Sequence, residues 1–354
     1  MAARKLKIAV YCIALNEEQF VSRWYESAKE ADFLLIADTG STDNTKEVAR
    51  ALGIHVIDIN IVPWRFDFAR NASMAGIPKD IDYCIALDMD EVLVAGWRDQ
   101  LEDMPTDITR PRYKYTWSWN DDGSEGLTYG GDKIHGRKGY MWTHPVHEVM
   151  RGYGVPEVQG WIGLEIHHYP DNTKSRGQYF PLLEMAVAEA PNDDRNSHYL
   201  GREYYFHGMC DKAKEELTRH LSLPTAQWKP ERAMSMRYLA RCCEGEEREQ
   251  WLIKATEECP EKREPWVDLA EYYYEIQLWD KCYPTIKKAL DIQIKPLEYL
   301  NDPKAWGEFP YDIAAIAAYR LGHKEEALTY GEKAITLNPT DERLKNNLEF
   351  YKEP

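Results

Sequence analysis

The sequence contains no apolar run near the roughly 20 residues that a helix needs to cross a bilayer, so no transmembrane helix is expected. The stretch Met1-Ala-Ala-Arg-Lys-Leu-Lys7 lacks the apolar segment of a secretory signal, and the cytoplasm is the expected compartment. Cysteine is scarce. Seven cysteines form an odd number without metal-type spacing, and the adjacent Cys242 and Cys243 form no zinc motif. They read as reduced thiols and small buried hydrophobes. Basic residues are outnumbered: 44 Lys and Arg against 60 Asp and Glu leave a net charge of -16, which opposes binding to duplex nucleic acid. A local basic strip such as Arg110, Arg112 and Lys114 could still meet phosphates. A glycine-rich phosphate loop with its lysine is also missing, which disfavours the common forms of nucleotidyl transfer.

What the chain does have is a strand–helix rhythm in its first half. Lys7-Ile-Ala-Val-Tyr-Cys-Ile13 reads as a buried strand ending at Asn16-Glu17-Glu18, followed by a helix-period pattern to about Ala31. Asp32-Phe-Leu-Leu-Ile-Ala37 is a second strand, running into the polar loop Asp38-Thr-Gly-Ser-Thr-Asp43-Asn-Thr45 that caps a helix from Lys46 to Leu52. Ile54 to Ile59 is a third. Such alternation predicts a mostly parallel sheet whose ligands bind outside the carboxyl ends of its strands. The most informative segment is Ile85-Ala-Leu-Asp88-Met-Asp90-Glu91, an apolar strand that ends in Asp-x-Asp. Two hard oxygen ligands there suit a divalent cation that bridges protein and phosphate oxygens.

Between residues 117 and 148 polar groups alternate with rings: Trp117-Ser-Trp119-Asn-Asp121-Asp122, Tyr129-Gly-Gly131-Asp132 and Trp142-Thr-His144-Pro-Val-His147-Glu148. Sugars offer hydroxyl edges and C–H faces that stack on aromatics, so the mixture suits a carbohydrate pocket, and it equally suits an ordinary core. Leu164-Glu-Ile-His167-His168-Tyr-Pro170 closes this half with adjacent histidines. Neighbouring strand residues point to opposite faces, so only one of the two is expected at a site.

Four of these segments carry a family resemblance. Cys12-Ile-Ala-Leu-Asn-Glu-Glu18, Ile36-Ala-Asp-Thr-Gly-Ser-Thr-Asp-Asn-Thr45, Phe66-Asp-Phe-Ala-Arg-Asn71 and Leu87-Asp-Met-Asp-Glu91 are similar in order and spacing to the motifs of family 2 glycosyltransferases with the GT-A fold. The branch that carries tetratricopeptide-like helical repeats after the catalytic domain is the nearest match. The resemblance implies a nucleotide-sugar donor held by Ala14, Asn16, Glu17 and Asp38 at the first two strand ends, with Arg70 on the diphosphate. It implies Asp88 and Met89 beside the ribose or cation, Asp90 as a direct ligand of Mn2+ or Mg2+, and His168 completing the metal shell. Glu148 falls where the family keeps its acidic general base, with Asp121, Asp122 and Asp132 as competitors. Thr39 departs from the commonest loop form, which carries a second Asp, and an alternative reading of Arg70 pairs it with Asp67.

From about Gly177 the pattern changes to helices punctuated by Pro191, Pro224, Pro230 and Pro260. Expected helices run over 179–190, 196–209, 211–221, 232–243, 246–258, 265–278 and 281–292, followed by three more, with 295–309 interrupting the period. The segment Pro310 to Pro339, with small residues, the turn glycine Gly322 and a terminal proline, resembles a tetratricopeptide repeat. Two domains are expected: a GT-A catalytic domain over 1–176, with a mixed and mostly parallel sheet, and an all-α repeat domain over 177–354. The expected function is metal-dependent, inverting transfer from a nucleotide-sugar, a UDP-sugar first, to a glycan, protein or other acceptor. The helical part would present the acceptor, bind a protein partner or self-associate. Alternatives are a degenerate transferase acting as a nucleotide-binding scaffold, and a nucleotidyltransferase.

Overall fold

The computed structural model describes residues 5–171, 177 and 179–352. The expected boundary at 176 lies outside them. The chain divides into two compact units, Met1–Ala186 with Leu297–Tyr299, and Val187–Pro296 with Leu300–Pro354.

In the first unit the order is β1 (Ile8–Ala14), α1 (Glu18–Ala28), β2 (Phe33–Asp38), α2 (Thr45–Ala51), β3 (His55–Asp58), α3 (Phe66–Ala75), β4 (Tyr83–Ala86), β5 (Glu91–Leu93), α4 (Trp97–Glu102), β6 (Arg110–Thr116), β7 (Thr128–Gly131), β8 (Ile134–Gly136), β9 (Tyr140–Thr143), β10 (Val149–Gly152) and β11 (Gln159–His168). A five-stranded sheet runs β3-β2-β1-β4-β8, parallel except for β8. A four-stranded sheet runs β5-β11-β6-β7, and β9 and β10 form a hairpin.

The unbroken apolar run of β1 follows from burial on both faces. Ile8, Val10 and Cys12 join one core cluster with Val21 and Trp24 of α1; Ala9 and Tyr11 join another with Met74 of α3 and with Tyr140 and Trp142. Trp24 is fully buried, and its indole N–H donates to the carbonyl of Leu87 at 2.9 Å. That bond fixes the backbone directly before Asp88. At the outer edge of the second sheet, Gly130 N–H donates to Leu297 O at 3.2 Å, and the Tyr129 and Tyr299 rings meet edge to face.

The second unit is all-helical among its described residues. The chain continues through α5 (Tyr179–Glu189), α6 (Asp194–Phe206), α7 (Cys210–Ser222), α8 (Lys229–Arg241), α9 (Gly245–Glu258), α10 (Arg263–Glu275), α11 (Trp279–Asp291), a 3-10 turn (Pro303–Ala305), α12 (Phe309–Arg320), α13 (Lys324–Leu337) and α14 (Glu342–Lys352). Sequential helices pack as pairs, and Ala270, Ala314, Ala317, Ala318 and Ala327 sit fully buried where they approach. Tyr272 and Tyr273 are core residues here.

Candidate active site

The carboxyl ends of β1, β2 and β4 bring three sequence-predicted groups to one edge. Ala14 pairs with Asp38 in register, and Leu87 N–H donates to Tyr11 O at 3.0 Å. The two loops beyond are tied together. Asn16, at φ 54°, accepts from Thr42 N–H at 2.8 Å, Glu17 N–H donates to the Thr45 hydroxyl at 2.8 Å, and Thr39 donates its hydroxyl to Ala14 O at 3.0 Å. Thr39 thus has a local structural task. Asp38 is fully buried, and its Oδ1 accepts from the amides of Gly40 and Ser41, both at 2.9 Å. Its Oδ2 is buried with no hydrogen-bond partner. A buried carboxylate oxygen without a donor is costly, so the pocket is suited to a ligand N–H or O–H.

Arg70 is buried and does not pair with Asp67, which is taken by Arg65 at 2.7 Å. Its guanidinium instead clasps Asp88 through two bonds, 2.7 and 3.1 Å, and donates through Nε to Glu148 Oε1. Next to it, Asn71 brackets the backbone of Trp142, donating to its carbonyl at 2.8 Å and accepting from its amide at 2.9 Å. The Ala-Arg-Asn segment therefore positions both the Asp-x-Asp turn and the β9–β10 hairpin. That hairpin presents Glu148 from a loop in which His144 and His147 take positive φ, 78° and 51°, and it is pinned by Phe66 N–H to Pro145 O at 2.9 Å.

Lys133, which the sequence reasoning missed, donates to Asp88 Oδ2 and to Glu91 Oε1, each at 2.7 Å. Glu91 also accepts from Tyr115 O–H at 2.6 Å and from Asp88 N–H at 2.8 Å. Burial works to raise the Asp88 carboxyl, but the charges of Arg70 and Lys133 override it and hold the group well below the usual range. For Glu91 burial prevails over Lys133, and the carboxyl is raised. Nothing in the spacing marks Lys133, because it lies 45 residues from Asp88 on the approach to an antiparallel edge strand.

Asp90 meets a different partner. Its Oδ2 lies 3.2 Å from Nε2 of His168, whose Nδ1 is 2.9 Å from the carbonyl of Trp117 and whose ring stacks on Trp117 at 4.3 Å. A carbonyl that holds Nδ1–H turns the Nε2 lone pair toward Asp90, an imidazole–carboxylate pair that could hold a divalent cation. Burial alone would lower the His168 pKa, but the bonds to Asp90 and Trp117 raise it. His167 faces the other way, against Glu165 at 3.6 Å and the Trp119 ring.

The remaining candidates have other structural partners. Met89 is 2 % exposed, with Cys12 Sγ at 3.2 Å from its sulfur, so only its main chain is offered to a ligand. Asp121 and Asp122 sit on an exposed turn, where Asp122 accepts from Ser124 N–H at 2.9 Å. Asp132 is bound by Arg110 at 3.2 Å and Arg112 at 3.5 Å. The basic strip is also engaged: Lys114 pairs with Glu125 at 2.6 Å and Arg110 with Glu157 at 3.2 Å, so its charge is already offset by carboxylates. Trp142 is a core residue that donates to the Tyr11 hydroxyl at 2.8 Å.

No protein-family model matches the chain. Two curated proteins, from Rickettsia prowazekii (strain Madrid E) and Rickettsia typhi (strain ATCC VR-144 / Wilmington), both named uncharacterized glycosyltransferase, are each 31% identical over 108 residues. Each match covers 30% of this chain and 36% of the relative, so the chain spans about a third of the length of those proteins. Among solved structures the chain is similar to yeast Tom70, with TM-score 0.37 and 19% identity over 51% of this chain and 37% of that one. It is also similar to a thermophilic TPR protein of Thermus thermophilus, with TM-score 0.33 and 20% identity over 49% of this chain and 88% of that one. Scores this low leave the helical unit to be read from its own packing. No helix among the described residues is long and apolar enough to cross a membrane.

Proposed function

We propose that the first unit is a GT-A type, family 2 glycosyltransferase that moves a sugar from a nucleotide-sugar, a UDP-sugar first, with inversion at the anomeric carbon. The observation that carries this reading is the pairing of Asp90 with His168 beside the charge-compensated Asp88, at the strand edge where Asp38 keeps an unpartnered oxygen. Asp38 Oδ2 accepts from a base or ribose donor. Asp88, with its charge met by Arg70 and Lys133, orders the turn and faces the ribose, while Asp90 and His168 hold Mn2+ or Mg2+. A cation bound there supplies counter-charge to the leaving diphosphate.

Glu148 takes the proton of the acceptor hydroxyl as that oxygen attacks the anomeric carbon on the face opposite the diphosphate. Arg70 fixes its carboxylate through Oε1, whereas Asp122 is bonded to Ser124 and Asp132 is paired with Arg110 and Arg112. The helical unit, with its TPR-like pairs, presents a glycan or polypeptide acceptor or a protein partner. Incubating the chain with a panel of nucleotide-sugars and reading products by mass spectrometry tests the reading. Release of nucleotide diphosphate from one donor is the expected result, and no turnover of any donor with Mn2+ or Mg2+ present overturns it.

A further inference from the structure

Three helix ends of the second unit converge on a second set of potential ligands. Asp194 lies in the first turn of α6, His220 in the last turn of α7 and Glu231 in the first turn of α8. One ligand atom from each lies within 4.8 Å of the others. His220 is fully buried and Glu231 is 4 % exposed. The Nε2 of His220 has no hydrogen-bond partner, and it stands 3.6 Å from Glu231 Oε1. That gap is too long for a hydrogen bond. It is close to the roughly 3.4 Å that separates two ligands of a tetrahedral metal at about 2.1 Å.

The surroundings also have the form of a built site. Ser235 Oγ lies 2.9 Å from His220 Nδ1 and 2.8 Å from His198 Nδ1, and both histidines and the serine are fully buried. One hydroxyl can accept from one ring and donate to the other, which fixes complementary tautomers. In the arrangement where His220 Nδ1–H donates to Ser235 Oγ and the hydroxyl donates to His198 Nδ1, the Nε2 lone pair of His220 is turned toward the two carboxylates. Asp194 is partly exposed and offers a route in from solvent. The other such grouping among the described residues, Glu125, Glu165 and His167, already holds the Lys114 ammonium at 2.6 Å from Glu125 and 3.5 Å from Glu165.

We infer that Asp194, His220 and Glu231 bind a divalent transition metal of the zinc class, which clips α6, α7 and α8 together with Ser235 as the group that orients His220. One imidazole nitrogen and two carboxylates with a water in the fourth position make an open N/O set that zinc accepts.

The test uses the full chain carrying Asp90→Asn, so that the cation site proposed in the first unit does not contribute. Stripped of metal and titrated with Zn2+, this protein is expected to bind one equivalent and to melt about 5–10 °C higher when zinc is near 100 times its Kd. Adding His220→Gln removes that equivalent and the rise in Tm. Should that variant fail to fold, Asp194→Asn at the partly exposed helix start keeps the fold and weakens Zn2+ at least tenfold. Ser235→Ala weakens it about 10–100-fold. Zinc binding that is absent from the Asp90→Asn chain, or unchanged by Asp194→Asn and His220→Gln alike, overturns the inference.

Discussion

Each unit buries an arginine between two carboxylates, and the two arrangements serve different ends. Arg70 holds Asp88 at 2.7 Å and also Glu148; Arg237 holds Asp268 at 2.7 Å and Asp302 at 3.2 Å. Burial opposes both cations, and the adjacent carboxylates more than restore them, so both are raised. Around Arg237 the network closes: Arg241 reaches Asp268 at 3.5 Å and Asp302 at 3.7 Å, linking α8, α10 and the 3-10 turn. Around Arg70 it stays open, with Asp90 and His168 one step beyond and Asp38 retaining a spare oxygen. A buried ion cluster is therefore no sign of a site in itself. The sign is a neighbour with bonding capacity left over.

Removing each arginine breaks the comparison most directly. Arg237→Met leaves the partly buried carboxylates of Asp268 and Asp302 without their main partner and should cost up to about 3–5 kcal/mol of stability. In denaturant melts it lowers the midpoint, while donor turnover per folded molecule is unchanged. Arg70→Met should cost a similar stability and also abolish turnover, since Asp88 and Glu148 lose their alignment. Equal activity in the two variants would erase the distinction.

A sharper cut leaves the fold intact. Asp90→Ala removes a group with 30 % side-chain exposure and the partner of the buried His168 ring, so stability should fall by about 1–3 kcal/mol with the fold kept. Donor turnover should fall about 100- to 1000-fold for want of cation binding. Chelation is a poorer probe than this substitution, because it would strip the helical site as well. Glu148→Gln keeps the bond from Arg70 but removes the proton acceptor, so transfer to acceptor should fall about 100-fold while donor affinity, measured by calorimetry, persists.

A pH effect is common to both units. His135 in the first and His198 in the second are fully buried, and burial pushes each down to about 3. Unfolded histidine binds its proton near 6.5. Between those values the unfolded chain holds a proton that the native chain refuses, so stability falls as pH drops from about 6.5 toward 3. Each ring contributes at most about 1.4 kcal/mol per pH unit. Melting the metal-free protein across that range, with His135→Gln and His198→Gln each flattening the slope, checks it; an unaltered slope contradicts the assignment.

Much of this architecture was legible in the chain because it is local. The apolar run of β1, the polar loops after β1 and β2, and the helix periodicity after residue 178 are set by neighbours a few positions apart, and observed helix ends differ from expectation by only a few residues, although the N-cap residues of α1 and α2 make no side-chain cap bond. Strand alternation likewise anticipates that His167 and His168 part company. The partnerships were not legible. Arg70 meets Glu148 across 78 positions and Lys133 meets Asp88 across 45, and no local rule favours those pairs over Arg70 with Asp67. Asp67 went to Arg65 because a bidentate bond two residues away was geometrically open to it.

The bond from Gly130 to Leu297 bears on the order of events at the ribosome. β7 is an edge of its sheet, and an uncovered edge is a template for wrong pairing. Its cover is encoded far downstream, so at about 5–20 residues per second the nascent first unit waits roughly ten to thirty seconds, while most of the helices emerge, before the strand is shielded. During that interval β7 is open to pairing with a neighbouring nascent chain. Genes cut short before residue 297 should yield aggregates even when every residue assigned to chemistry is present.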